Sequence, residues 1–183
     1  MLYKIRVILN TSKKDDVFRD IEIRANQTLW HLHQGIRSAC SFKTEEMASF
    51  YYCDDEWNQQ EEIPLEDMTD DRSGETMSDI YVKEALPKVG SKLLYVYDFL
   101  DMWSFYVELI EIGEKKPSIN YPLTVFRFGK IPLKAPKTNN SIVKDEFHDE
   151  FGDDIDVELD DDFDAIDPEI DLDDVTNFDD DLY

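Results

Sequence analysis

Between residues 145 and 183 the chain carries 20 Asp or Glu and not one Lys or Arg, and this block limits where a hydrophobic core can be built. Like charges about 7 Å apart repel by roughly 0.6 kcal/mol in water, which is comparable to the propensity differences that stabilise a helix, and Asp is a weak helix former. Alone, the segment is expected to be disordered. The other 144 residues carry 23 acidic and 19 basic side chains and most of the aromatic ones, a balance suited to an ordinary globule. We read the chain as one folded domain over residues 1–135, followed by a linker and acidic tail over 136–183.

Within the body, Tyr3, Ile5, Val7 and Leu9 alternate with Lys4 and Arg6, the period-two signature of a strand with one buried face. After the polar run 10–16, Val17, Ile21 and Ile23 again share a face opposite Asp20, Glu22 and Arg24, which predicts a hairpin. Thr28 is the expected N-cap of a helix whose Leu29, Leu32, Ile36 and Ala39 or Cys40 recur at helical spacing. Gly35 weakens that helix by ~1 kcal/mol relative to Ala. Phe50, Tyr51 and Tyr52 mark a third strand, whereas residues 54–78 are acidic and lack periodicity, which predicts a long, mobile insertion without a core. A short helix or turn over 78–86 ends at Pro87, and Gly90 makes a bend.

The most strongly patterned stretch is KLLYVYDFLDMWSFYVELIEI, residues 92–112. Leu93, Tyr95, Tyr97 and Phe99 share one face, Trp103, Phe105, Val107 and Leu109 another, and residues 100–102 turn between them. Residues 121–128 add an edge strand, with Pro122 at its start. This order describes an α+β domain, a mixed β-sheet with one main helix packed across it in a β-grasp-like arrangement, with strand one paired to the later hairpin.

The hairpin resembles the hallmark of the plasmid pRiA4b ORF-3-like family, Tyr-x-Tyr-Asp-Phe-Gly-Asp-x-Trp-x-His, through Tyr95, Tyr97, Asp98, Phe99, Asp101 and Trp103. The run TLWHLHQGI is similar to the family's helix through Thr28, Leu29, Leu32, His33 and Ile36, and the resemblance covers roughly residues 3–112. Leu100 stands where the family has Gly and Phe105 where it has His, and the family's later Cys-Pro-Pro-Glu-Asp segment is missing. A site built on that His is therefore not expected here. The resemblance implies a fold and an association with plasmids and mobile elements, and it carries no chemistry.

Asp98 and Asp101 are the only candidates for catalytic carboxylates, since burial beside aromatic strands raises a carboxyl pKa toward acid–base work. Asp is favoured in turns because it accepts backbone hydrogen bonds, and with no nucleophile–base pair beside them turn chemistry is the preferred reading and no catalytic residue is assigned. His31 and His33 lie about 200° apart on a helix and cannot share one metal without a third element. Trp57 is read as folding back onto the body. Cys40 and Cys53 match no metal or disulfide pattern and are read as buried thiols. With no Ser-His-Asp order, no paired-Cys motif and no glycine-rich phosphate loop, neither metal nor cofactor is expected. No stretch approaches the ~20 apolar residues of a membrane span and MLYKIRVILN shows no cleavage site, so a soluble, cytoplasmic protein is expected.

In the tail, Phe147, Phe151, Ile155, Leu159 and Phe163 recur every four residues among the carboxylates. Such acidic-hydrophobic composition suits a segment that orders on a basic protein surface, or one that merely solubilises, and it disfavours nucleic acid as a direct ligand of the tail. Asp160, Asp162 and Asp164 have the early spacing of a calcium loop, but Ala165 replaces its Gly and Asp171 its closing Glu. The expected function is a non-enzymatic interaction or accessory protein. The alternative is a mobile-element-associated nucleic-acid-processing factor, with Asp98, Asp101 and Trp103 at its site and the tail as an autoinhibitory polyanion.

Overall fold

The structure, a computed structural model, describes residues 1–11, 16–69, 73–114 and 119–136. β1 (Leu2–Leu9) and β2 (Phe18–Arg24) form the expected hairpin, with Tyr3 opposite Ile23 and Ile5 opposite Ile21. β3 (Ala48–Cys53) pairs with β4 (Gln59–Pro64), placing Phe50 opposite Ile63. The patterned hairpin of β5 (Lys92–Tyr97) and β6 (Trp103–Gly113) then enters between these two units, β5 along β3 and β6 along β1. β7 (Leu123–Phe128) adds outside β2, giving the order β4-β3-β5-β6-β1-β2-β7. Strand one does pair with the later hairpin, and 121–128 does supply an edge.

The α+β class stands, with one correction to the sheet. Among the described residues every strand pairing is antiparallel, so the sheet is uniform and not mixed. Neighbouring strands therefore run in opposite directions throughout, while the chain-consecutive pairs β2 and β3, and β4 and β5, run the same way and are joined by crossovers past the strands between them.

α1 (Leu29–Cys40) lies across one face and buries Leu29, Leu32, His33, Ile36, Ala39 and Cys40. Its first turn is closed by His31, whose Nδ1 accepts from the Thr28 backbone N–H at 3.3 Å and lies 2.9 Å from Thr28 Oγ1. Gly35 has a reason beyond helix propensity. A Cβ there would stand 3.0 Å from Pro122 Cβ, so the missing side chain lets the entry to β7 close against the helix.

The expected coreless insertion is not what forms. Ile63 and Met77 are both buried in the main core, together with Ile80, Val82, Ala85 and Leu86. The same segment caps α1, because Leu29 N–H donates to Ile80 O and Trp30 N–H to Met77 O, each at 2.9 Å, and helix-start donors of this kind need partners. Asp67 organises the bend by accepting from the Thr69 and Gly74 amides, each at 2.8 Å. α2 (Val82–Ala85) follows. Periodicity missed this contribution because the insertion's core residues stand alone among polar ones, Ile63 near the end of a strand of exposed Gln and Glu and Met77 in a turn.

Met77→Ala is expected to cost about 2–5 kcal/mol by urea unfolding, the usual range for emptying a core site. Met68→Ala, at an exposed position of the same segment, should stay within about 0.5 kcal/mol. Equal, small losses at both would remove this segment from the core.

Candidate functional site

The motif residues converge on an aromatic cluster beneath α1. Tyr95 is buried completely, with its ring centroid 4.7 Å from Phe50 and 6.1 Å from Phe105. Its hydroxyl and His33 Nδ1 hydrogen-bond each other at 2.8 Å, joining the two stretches that carried the family resemblance. Tyr97 donates its hydroxyl to Thr44 O at 2.7 Å and lies 3.0 Å from Thr44 Oγ1. Phe42 stacks on Tyr97, rings 3° from parallel and 4.6 Å apart, and also meets Trp103 at 5.0 Å. Phe42 and Thr44 carried no sequence signal, since they lie in the irregular stretch after α1.

Phe105, at the position of the family's His, is buried in this cluster 6.4 Å from Trp103. Burial pushes the Tyr95 phenol well above its ordinary pKa and holds the His33 imidazole down at about 4, with Arg37 adding to the second effect. Both groups are therefore neutral near pH 7, as an apolar interior requires.

Asp98 and Asp101 sit in the β5–β6 turn. Asp98 takes a left-handed backbone (φ 58°), and its Oδ1 accepts from the Leu100 amide at 3.0 Å and the Asp101 amide at 3.3 Å. Met102 is the turn's other left-handed residue (φ 56°), so Leu100 fills the family's glycine position without needing that conformation. Asp101 is exposed, as are Phe99 and Leu100, and Phe99 does not continue the buried face of β5 as expected. The turn geometry accounts for Asp98 as an organiser of its own loop.

Beside Phe99 opens a cleft of about 580 Å³ that the sequence reading missed. Its floor includes Met47, Tyr52, Ile63 and Ile80, and its rim Glu61, Glu62, Glu66 and Glu75. The Tyr52 phenol is pushed up by burial and by Glu61, Glu75 and Glu84. Such a surface repels anions. Among the described residues no group of His, Cys, Asp or Glu has the arrangement of a metal site.

His31 serves the helix cap and His33 the core, so the two do not meet. Trp57 does fold back, 4.6 Å from Tyr106 and beneath Lys92 at 4.8 Å. Burial pushes the Cys40 thiol up to about 12 and Cys53 to about 11, which leaves both unreactive near neutral pH. The tail positions Phe147, Phe151, Ile155, Leu159 and Phe163 lie outside the described residues.

The His33 shift generates a pH dependence. Above pH 6.5 the imidazole is neutral folded and unfolded, and the interaction is fully present. As pH falls from 6.5 toward about 4, only the unfolded chain takes up the proton, so stability drops by about 1.4 kcal/mol per pH unit at most and about 3 kcal/mol in all. Subtracting the curve of His33→Gln, which lacks the titrating ring, should isolate that drop from carboxylate effects. Parallel curves for the two proteins over this window would contradict the assignment.

A family model described as plasmid pRiA4b ORF-3-like protein matches residues 1–134. The crystal structure of a protein of unknown function, MM3350 from Methanosarcina mazei Go1, is similar in fold. It superposes with a TM-score of 0.58 at 19% sequence identity, over 76% of this chain and 74% of that one. No curated protein matches the chain. No helix among the described residues is long and apolar enough to cross a membrane. With the paired tyrosines, the turn aspartates and Trp103 found on one hairpin, and His33 of α1 bonded to Tyr95, the chain belongs to the plasmid pRiA4b ORF-3-like family.

Proposed function

We propose that the chain is a non-enzymatic interaction protein of the cytoplasm, an α+β body carrying an acidic tail whose Phe147, Phe151, Ile155, Leu159 and Phe163 engage a basic protein surface. One observation carries the reading: 20 carboxylates and no cation are gathered into residues 145–183, interleaved with large apolar side chains. Charge of one sign attracts a basic partner over a Debye length and weakens with salt, while the apolar residues supply hold that charge alone lacks. The use of Tyr95, Tyr97 and Trp103 in packing, and of Asp98 in its own turn, supports assigning the motif to the fold rather than to a reaction. Two free cysteines accord with a reducing compartment.

Every buried side chain named above lies between Leu2 and Tyr121, so a chain ending at Lys144 keeps its whole described core. Tagged full-length protein, the 1–144 truncation, and a variant with Phe147, Phe151 and Phe163 changed to Ser are compared by capture from lysate in low and high salt. Basic proteins are expected on the full chain in low salt and absent from the truncation. The Phe→Ser variant should lose most of them although it keeps every carboxylate. An identical set on the truncated chain in low salt would end the proposal.

A further inference from the structure

The two edges of the sheet are built in opposite ways. β4 presents Gln59, Gln60, Glu61 and Glu62 and ends in Pro64, the charged and proline-bearing composition that discourages another strand from pairing. β7 reads LTVFRF, pairs only with β2 among the described residues, and leaves Leu123, Val125, Phe126 and Phe128 exposed, the two phenylalanines by half their surface.

We propose that the outer edge of β7 takes up, as an added strand, an extended segment of a partner protein in which acidic and apolar residues alternate. The register makes the two faces of this edge chemically distinct. Between Asp20 and Ile21 the partner position on β7 jumps from Phe126 to Thr124, so Val125 is the extra residue of a bulge. That bulge puts Leu123, opposite Glu22, on the same face as Phe126, opposite Asp20, and Phe128, opposite Phe18. Phe18 stacks on both rings, at 5.7 and 5.3 Å, and the Arg6 guanidinium lies 4.3 Å over Phe18. Asp20 holds that guanidinium through two hydrogen bonds of 2.8 and 2.9 Å, so the aromatic face is braced from inside the sheet.

The opposite face is cationic. Arg127 stands across from Arg19, which is buried and donates to the carbonyls of Ala39, Phe18, Phe128 and Gly129, with no carboxylate among the described residues paired to it. Lys130 and Lys134 follow, and residues 119–136 contain no Asp or Glu. An incoming strand presents side chains to alternate faces. Apolar residues at every second position would meet Phe126 and Phe128, and carboxylates between them would meet the side of Arg127. A second copy of β7 in this place would instead bring the Arg127 side of one strand beside the Arg127 side of the other, a like-charge arrangement that disfavours self-pairing. The partner strand is chosen by the same period-two logic that orders the sheet, here with charge on one side and rings on the other.

The test uses the full-length chain and two short fluorescent peptides, one alternating Asp with Phe and Ile, the other with Lys in place of each Asp. The Asp peptide is expected to bind, more weakly as salt rises, and the Lys peptide to bind far less. Arg127→Glu and Phe126→Ser should each weaken the Asp peptide by about tenfold or more, with the far-UV circular dichroism of the folded chain unchanged. Thermal unfolding should stay as it was for Arg127→Glu, at an exposed site, and fall modestly for Phe126→Ser, which gives up its ring contact with Phe18. Glu62→Gln, on the other edge, should leave binding as it was. Failure of the Asp peptide to bind, binding that survives both β7 substitutions, or equal binding of the Lys peptide would overturn the proposal. Self-association abolished by Phe126→Ser in sedimentation velocity would also overturn it, by giving the edge to a second copy.

Discussion

The β5–β6 hairpin is the element on which the rest of the fold depends. Among the described residues β3 and β4 on one side and β1, β2 and β7 on the other share no strand pairing with each other, and β5 along β3 and β6 along β1 join them. The hairpin inserts because both its strands carry an unbroken apolar face, Leu93, Tyr95 and Tyr97 opposite Val107, Phe105 and Trp103. Burying each such side chain contributes on the order of 1.5–3 kcal/mol, enough in sum to order two units that come from distant parts of the chain. α1 packs on the same face, nearest β2 and β7, and reaches the hairpin through the His33–Tyr95 bond.

Polar groups inside that join determine how the covering layer sits. A tyrosine hydroxyl without a partner in an apolar interior costs about 1–3 kcal/mol, so Tyr95 and Tyr97 each constrain what lies above them. His33 answers Tyr95 from the helix, and Thr44 answers Tyr97 from the segment beyond it. Rotation of α1 and the path of residues 41–44 follow from these two bonds together with the stacking of Phe42. Tyr95 and His33 are in this light one hydrogen-bonded unit shared between sheet and helix.

Electrostatics divides the surface in a comparable way. The β4 side carries Glu61, Glu62, Glu66 and Glu75 around a cleft, while the β7 side is free of acidic residues from 119 to 136 and holds a buried arginine satisfied by carbonyls. An antiparallel sheet with unlike ends presents two different environments to anything that approaches it, and screening at physiological salt keeps those fields local.

Period-two and period-3.6 patterns made β1, β2, α1, β5 and β6 legible, because each buries one continuous face and repeats its apolar residues accordingly. Ile63, Met77, Phe42 and Thr44 were not legible: each is a single contact, Ile63 near the end of a polar strand, Met77 in a turn, and Phe42 and Thr44 in the irregular stretch after α1, and one residue has no period. The uniform antiparallel pairing, the acid-rimmed cleft by Phe99 and the bulge at Val125 likewise depend on which strand neighbours which. By itself, then, the sequence determined the family, the strand and helix faces and the separation of charge into a terminal block, since these follow from local order along the chain. Only the tertiary structure decided the strand order, the His33–Tyr95 pairing and the contrast between the two sheet edges, since each is a contact between residues that chain order leaves far apart.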